Sequence, residues 1–456
     1  MSSIQMSTTL SEDTSSQEQD FCSHLQRLYK KKSVAGFAGF TILIFFFYAS
    51  ILLELYIPGL LNIGDENNFL NRFAVISVVL LSAPYLSKII RYYYRTFGWH
   101  DVLLIFYIMF FFVGVDKSRG FLAFTPLLRL LVCFYLVSFL LRRPRTLVRY
   151  TYLLVMFVAI FEIGTILRFP GLLTGSGRLD FPRYLGVTGA ARLMLTLSLL
   201  CYWIFIADNL YSRLLRVVAL VETVIAIALA LATGSRQMVL GMGIIIVGLL
   251  LLRERVIPKF SQKGLLLVSS SSLALAVVMA WILLGQPGSS FLADNAALNR
   301  AFTFTPTQFD ESVGRLATWD LYINHLGTNY SSMIFQGFRD DPKNVFGGQS
   351  EVYGAQIQVV PHNSVLAMIV QSGLVSAVLY ILWHISLMFA LLRGHYLLGG
   401  MYKSSIAVSG AIAAFVIGLL SNYFTIVASP LAYLFYVVAG IYVNLLRDKK
   451  LYLLAR

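Results

Sequence analysis

The chain has 456 residues, 58% of them hydrophobic and 13% charged, with a mean hydropathy of +0.74. That composition excludes an ordinary soluble domain and defines a polytopic membrane protein. The net charge of +14 follows from lysine and arginine gathering on one side of a bilayer and from attraction to anionic lipid, so nucleic-acid binding is not needed to explain it.

Residues 1–33 are polar and rich in Ser, Thr and Glu. They are expected to form a disordered cytoplasmic tail, with no cleavable signal peptide. A spanning helix needs roughly 20 mostly apolar residues. Residues 34–456 then read as one all-α membrane domain of about twelve transmembrane helices, near 34–57, 69–90, 99–114, 120–141, 147–167, 188–207, 214–232, 237–252, 264–284, 362–391, 404–426 and 429–446. The seventh and eighth are separated by "TGSRQ", which is a tight turn or a break in one long element. Alternate connections carry "KIIRYYYR", "RRPRTLVR", "SRLLR", "RERVIPKFSQK" and "RGHYLLGGMYK", so that side is expected to be cytoplasmic, together with both termini. Of the three cysteines, Cys22 falls in the tail and Cys133 and Cys201 within spans, so none staples an outer loop.

The opposite face has two longer loops, 168–187 and 285–361. In the second, Leu316, Trp319, Tyr322, Ile323 and Leu326 recur at helical spacing and predict a short amphipathic helix on the membrane surface. That loop returns to the membrane at "PHNSVLAMIVQSGL", where Asn363 or Ser364 can cap the tenth span. A helix start disfavours imidazolium, so His362 there is expected to be neutral and able to accept a proton. Taken alone, an interfacial histidine can equally well just satisfy backbone groups. Arg236 in "ATGSRQM" sits beside a glycine and a serine at the same outer level, and its planar fork suits phosphate oxygens. Snorkelling to lipid headgroups is the blander reading of that arginine. Arg315 in "GRLATW", Arg178 and Arg183 in "GSGRLDFPRYLG", and Arg192 just inside the sixth span share this face. Together these residues describe an outer pocket for a phosphate-bearing lipid with a base at hand. The acidic pair Asp340 and Asp341 precedes Pro342 and reads as a turn rather than a metal site.

"TGSR" between two spans, "GRLATW" in the long outer loop, and "PHNS" followed by "GLVS" resemble the O-antigen polymerase and ligase superfamily (Wzy and WaaL types), over roughly residues 188–391. The resemblance implies a GT-C-like membrane glycosyltransferase of the bacterial inner membrane with its active site facing the periplasm. Its donor would be an oligosaccharide carried on undecaprenyl diphosphate. Carried over residue by residue, it makes His362 the catalytic base, with Arg236 and Arg315 on the diphosphate and Asn363 beside the substrate. No cofactor and no metal are expected, because arginines neutralise the diphosphate. The expected partners are the lipid-linked oligosaccharide, the bilayer and a chain-length regulator protein, with no nucleic acid.

The ligase form of the last motif matches at His362, Asn363 and Gly373 and departs at Ser376. An arginine, ten residues and a glycine, found in outer loops of some polymerases, fits Arg178 and Gly189, while Arg315 and Gly327 miss it by one residue. These two features favour a polymerase joining two lipid-linked repeat units. The alternative is a ligase that transfers the glycan to lipopolysaccharide core. A flippase or other transporter would instead line a mid-membrane path with charge. Arg129, Glu162 and Glu222 are the in-span candidates for that, unless they support packing or pair with one another.

Overall fold

A computed structural model of the chain describes residues 79, 83–115, 125–141, 145–169, 186–206, 212–252, 319–337, 351–352, 355–356, 363–397, 402–419 and 430–454. After a 3-10 turn at Ala83–Tyr85 come α1 (Leu86–Arg95), α2 (Trp99–Gly114) and α3 (Thr125–Leu131), which passes through a π-helical turn (Val132–Val137) into α4 (Ser138–Leu141). Then follow α5 (Arg145–Arg168), α6 (Gly186–Ile206), α7 (Arg213–Ala232) and α8 (Arg236–Leu251). In the long loop, α9 covers residues 319–328 and α10 is Tyr330–Met333. Two two-residue strands, Glu351–Val352 and Ala355–Gln356, pair antiparallel. The chain closes with α11 (Ser364–Ser372), α12 (Leu374–Leu397), α13 (Tyr402–Leu419) and α14 (Pro430–Leu454).

Two of the described helices, Arg213–Ala232 and Leu374–Leu397, are long and apolar enough to cross a membrane. The bent pair Leu86–Arg95 and Trp99–Gly114 brings the number to at most three. Shorter apolar helices run over Ala190–Tyr202, Gln237–Leu251 and Ser405–Leu419. The spans expected at 34–57 and 264–284 lie outside the described residues, as do the tail and the loop at 170–185.

The helices pack through small residues where backbones approach closely. α6 lies along α7, and α8 along α13. A Cβ at Gly248 would stand 2.6 Å from Ser409 Oγ, and one at Gly241 would stand 2.7 Å from Ile417 Cδ1 and 2.8 Å from Leu195 Cδ2. Dispersion at such crossings holds helices together in lipid, where apolar burial supplies little drive. α12 packs on α2 and α14, burying Tyr107, Phe134, Tyr380, Trp383, Phe435 and Tyr436. His384 is fully buried among these rings, its Nδ1 2.8 Å from the Tyr380 carbonyl and its Nε2 3.1 Å from the Tyr436 hydroxyl. Both ring nitrogens are thus engaged, which fits a structural histidine.

The helix ends sort into two groups. At one end Arg447 of α14 pairs with Asp101 at the start of α2, Arg216 at the start of α7 donates to the Phe205 carbonyl near the end of α6 (2.7 Å), and His395 of α12 donates to the Leu252 carbonyl after α8 (3.1 Å). At the other, Gly241 near the start of α8 and Ser364 at the start of α11 meet Ile417 and Gly418 near the end of α13. The starts of α2 and α7 and the final turns of α14 therefore share one end, and the starts of α8 and α11 the other.

The region expected as one helix over 362–391 is two. α11 ends at Gly373, whose backbone (φ 89°, ψ 170°) lies in a region that is essentially glycine's alone. α12 then starts at Leu374 and continues to Leu397. The long loop is threaded against this break. Val375 N–H donates to the Ile334 carbonyl at 3.0 Å, and Gly337 N–H donates to the Gly114 carbonyl at the end of α2, also at 3.0 Å. A Cβ on Gly114 would lie 2.0 Å from the Ser372 oxygen, and one on Gly337 would lie 2.3 Å from the Val370 oxygen. Three glycines thus let three backbones meet. The amphipathic helix expected in this loop is present as α9, with Tyr322 buried and Ile323 exposed. The second expected span also differs: α1 runs on to Arg95 and turns 109° from α2.

Candidate functional site

The "TGSRQ" segment is a tight turn. Gly234 takes a positive φ of 63°, the Thr233 hydroxyl donates to the Ala230 carbonyl at 2.6 Å, and Thr233 Oγ1 accepts from Ser235 N–H at 3.1 Å. Thr233 is fully buried, so these bonds fix the exit of α7 and the entry of α8. Ser235 is the N-cap of α8 by backbone geometry, and its carbonyl accepts from Met238 N–H at 3.0 Å. Its side chain does not cap: Ser235 is 5% exposed, and among the described residues its Oγ has no hydrogen-bond partner. A buried hydroxyl left unpaired costs about 1–3 kcal/mol. Such a cost, beside a helix start whose amides favour anions, marks a position that a ligand can satisfy.

Arg192 lies nearly two turns into α6 and is 3% exposed. Its Nε (3.2 Å) and Nη2 (2.8 Å) both donate to Gln237 Oε1, in the first turn of α8. A guanidinium keeps its charge under any such arrangement. Gln237 therefore holds a permanent cation against the same helix start that Arg236 opens. Sequence reading selected Arg192 and Arg236 but not Gln237 or Ser235, whose roles depend on contacts between separate helices.

Asn363 is the N-cap of α11. Its Oδ1 accepts from Val365 N–H at 2.9 Å and Leu366 N–H at 3.2 Å. Ser364, the other capping candidate, instead donates its hydroxyl to the Gly418 carbonyl of α13 at 2.5 Å and is fully buried. The α11 start is therefore capped and pinned, next to the contact that Ile417 makes with Gly241 of α8. Adjacent residues of α13 thus tie together the two helix starts that follow "TGSR" and "PH".

His362, Arg315, Arg178 and Arg183 lie outside the described residues, as does the side chain of Arg236. Asp340 and Asp341 do too. Among the described residues, no group of three or more His, Cys, Asp or Glu could hold a metal ion. Of the in-span charges weighed for a transport path, the Arg129 side chain lies outside the described residues. Glu162 and Glu222 are buried and do not pair with each other. Neither oxygen of Glu162 has a hydrogen-bond partner, and Glu222 Oε2 accepts from the Cys201 thiol at 3.5 Å. Cys133 and Cys201 are both buried thiols, neither joined in a disulfide.

No protein-family model matches the chain, and no curated protein matches it significantly.

Proposed function

We propose that the chain is a membrane glycosyltransferase that moves an oligosaccharide from undecaprenyl diphosphate to a lipid-linked repeat-unit acceptor at the periplasmic face of the bacterial inner membrane, an O-antigen or polysaccharide polymerase of GT-C-like architecture. The observation that carries this reading is the start of α8. There a buried arginine held by Gln237, an unpaired Ser235 hydroxyl and a helix N-terminus lie together. That combination suits a diphosphate better than a neutral ligand.

In the proposed step the acceptor hydroxyl attacks the anomeric carbon of the donor sugar. The bond from that carbon to the phosphate oxygen breaks, and its electron pair leaves with the diphosphate. Cations that tighten on the leaving group as charge develops lower the barrier, and losing one such contact typically costs ~3–4 kcal/mol. Arg236, Arg192 and Arg315 fill that role, with Arg178 and Arg183 contributing from the shorter loop. His362, the residue before the capped start of α11, takes the hydroxyl proton, which is worth roughly 10²–10⁴-fold in rate. Asn363 sets its position by fixing the helix entry. No cofactor enters the scheme.

The glycan phenotype of a deletion strain tests the reading. Core capped with a single repeat unit is the outcome expected for a lost polymerase. Full-length polymer stranded on carrier lipid would instead assign the ligase reaction, and an unaltered glycan would reject both.

A further inference from the structure

α1 differs from the helices around it in having three distinct edges. One edge is tied to the protein. Ile89 is buried, the Tyr92 hydroxyl lies 3.0 Å from Asp448 Oδ1 and 3.2 Å from the Asn444 carbonyl, and the Tyr93 hydroxyl donates to the Tyr135 carbonyl at 2.9 Å. The Arg447 guanidinium sits 4.7 Å above the Tyr93 ring and pairs with Asp101, whose Oδ2 accepts from Gly98 N–H at 2.9 Å where the chain turns into α2. The rotation of α1 about its own axis is therefore fixed.

The second edge is an exposed apolar stripe at i, i+4 and i+8, formed by Leu86 (47% exposed), Ile90 (59%) and Tyr94 (83%). The third is cationic. Lys88, Arg91 and Arg95 recur at i, i+3 and i+7 on roughly the opposite side, all exposed, and residues 83–100 include no acidic residue. Phe97 and Trp99 where the chain turns, and Ile105, Phe106 and Met109 of α2, are exposed as well. α1 turns 109° from α2. With α2 along the bilayer normal, α1 lies close to the bilayer plane.

We infer that α1 is a docking surface for anionic phospholipid, with Leu86, Ile90 and Tyr94 among the acyl chains and Lys88, Arg91 and Arg95 on headgroup phosphates. The inference rests on reading the chain as membrane-embedded, not on the glycosyltransferase chemistry. Anionic lipid is the occupant that the surface fits, because one molecule supplies both the acyl chain that the exposed apolar stripe calls for and the phosphate that the exposed cations of the same short helix call for. An acidic protein would meet the cations but leave the apolar stripe facing lipid or water.

The test uses the full chain reconstituted into vesicles, with Cys22→Ser and the buried Cys133 and Cys201 left in place. Ser87→Cys, at the exposed junction of the two stripes, carries a fluorophore. The fluorophore is challenged with acyl spin-labelled phosphatidylglycerol or phosphatidylcholine, each as a minor component. Quenching by phosphatidylglycerol is expected to be at least twofold stronger, to be insensitive to added inorganic phosphate, and to fall to the phosphatidylcholine level in the Lys88→Gln/Arg91→Gln/Arg95→Gln variant. Equal quenching in the parent, or a preference that survives the triple substitution, would overturn the proposal. Reversal by inorganic phosphate would reassign the cations to free anions. Protein that floats with the vesicles but is quenched by neither lipid would show another occupant on α1, whereas protein that fails to float would remove the membrane reading itself.

Discussion

Ser235 separates a binding role from a structural one more cleanly than any other described residue of the site. Its hydroxyl is buried without a partner, so Ser235→Ala removes no internal hydrogen bond and relieves an unsatisfied group. Thermal unfolding of the purified variant should be unchanged or stabilised by ~1 kcal/mol. Donor affinity or transfer rate should fall about tenfold or more if the hydroxyl meets a charged phosphate oxygen, as charge-assisted hydrogen bonds are worth roughly 1.5–3 kcal/mol. Wild-type transfer with unchanged stability would remove Ser235 from the site. The Gln237 contact works in the other direction. Gln237→Leu leaves the Arg192 guanidinium without the oxygen that both its Nε and Nη2 address, so loss of stability and loss of transfer should appear together. At this scale the sequence was legible where a role is local to the chain, as with Asn363, one of the two capping candidates, which caps α11. It was silent on Gln237 and on the Asp101–Arg447 pair, because those partners are 45 and 346 positions apart and only packing brings them together.

The break between α11 and α12 is the element on which the long loop depends. Gly373 has φ 89° and ψ 170°, and a Cβ there would sit 2.8 Å from the Gln336 nitrogen. Gly373→Ala therefore meets both backbone strain, about 1–3 kcal/mol, and a clash with the loop. The midpoint of thermal unfolding in detergent should drop, and the 334–337 segment should become more accessible to protease than in the parent. A variant with parental stability and unchanged cleavage would show that the loop is not held at this break. The turn between α7 and α8 was readable because Gly and Ser interrupt two apolar runs. The break at Gly373 was not, since "IVQSGLVSAV" stays apolar on both sides and a glycine inside a membrane helix is ordinary. α1 was misplaced for a related reason: "LSKIIRYYYR" follows an apolar run directly, and only the tyrosine contacts to α14 and Tyr135 fix where the chain turns.

Across the whole molecule, the helix ends fall into two groups, with the Asp101–Arg447 pair at one and the starts of α8 and α11 at the other. On the proposed function, the second group faces the periplasm. A membrane-impermeant thiol reagent applied to intact cells should then label Ser350→Cys and spare Ser261→Cys, and the reverse pattern would invert every assignment made to the outer face. Composition made the helical, apolar character of the chain legible, and two of the described helices, or three with the bent pair, are long and apolar enough to cross a membrane; the bend at α1 and the break at Gly373 arise from contacts that hydropathy does not encode. The claim that joins topology, site and chemistry is that a neutral base beside the diphosphate site activates the acceptor. Purified protein supplied with undecaprenyl-diphosphate-linked repeat units measures it directly, comparing wild type with His362→Gln, which keeps polarity but cannot take up a proton near neutral pH. Wild type should give a glycan ladder whose rate falls at acidic pH as the imidazole becomes charged, and the Gln variant should lose roughly 10²-fold or more with donor binding retained. A Gln variant that extends glycan at near wild-type rate, with the same pH profile, would contradict that claim.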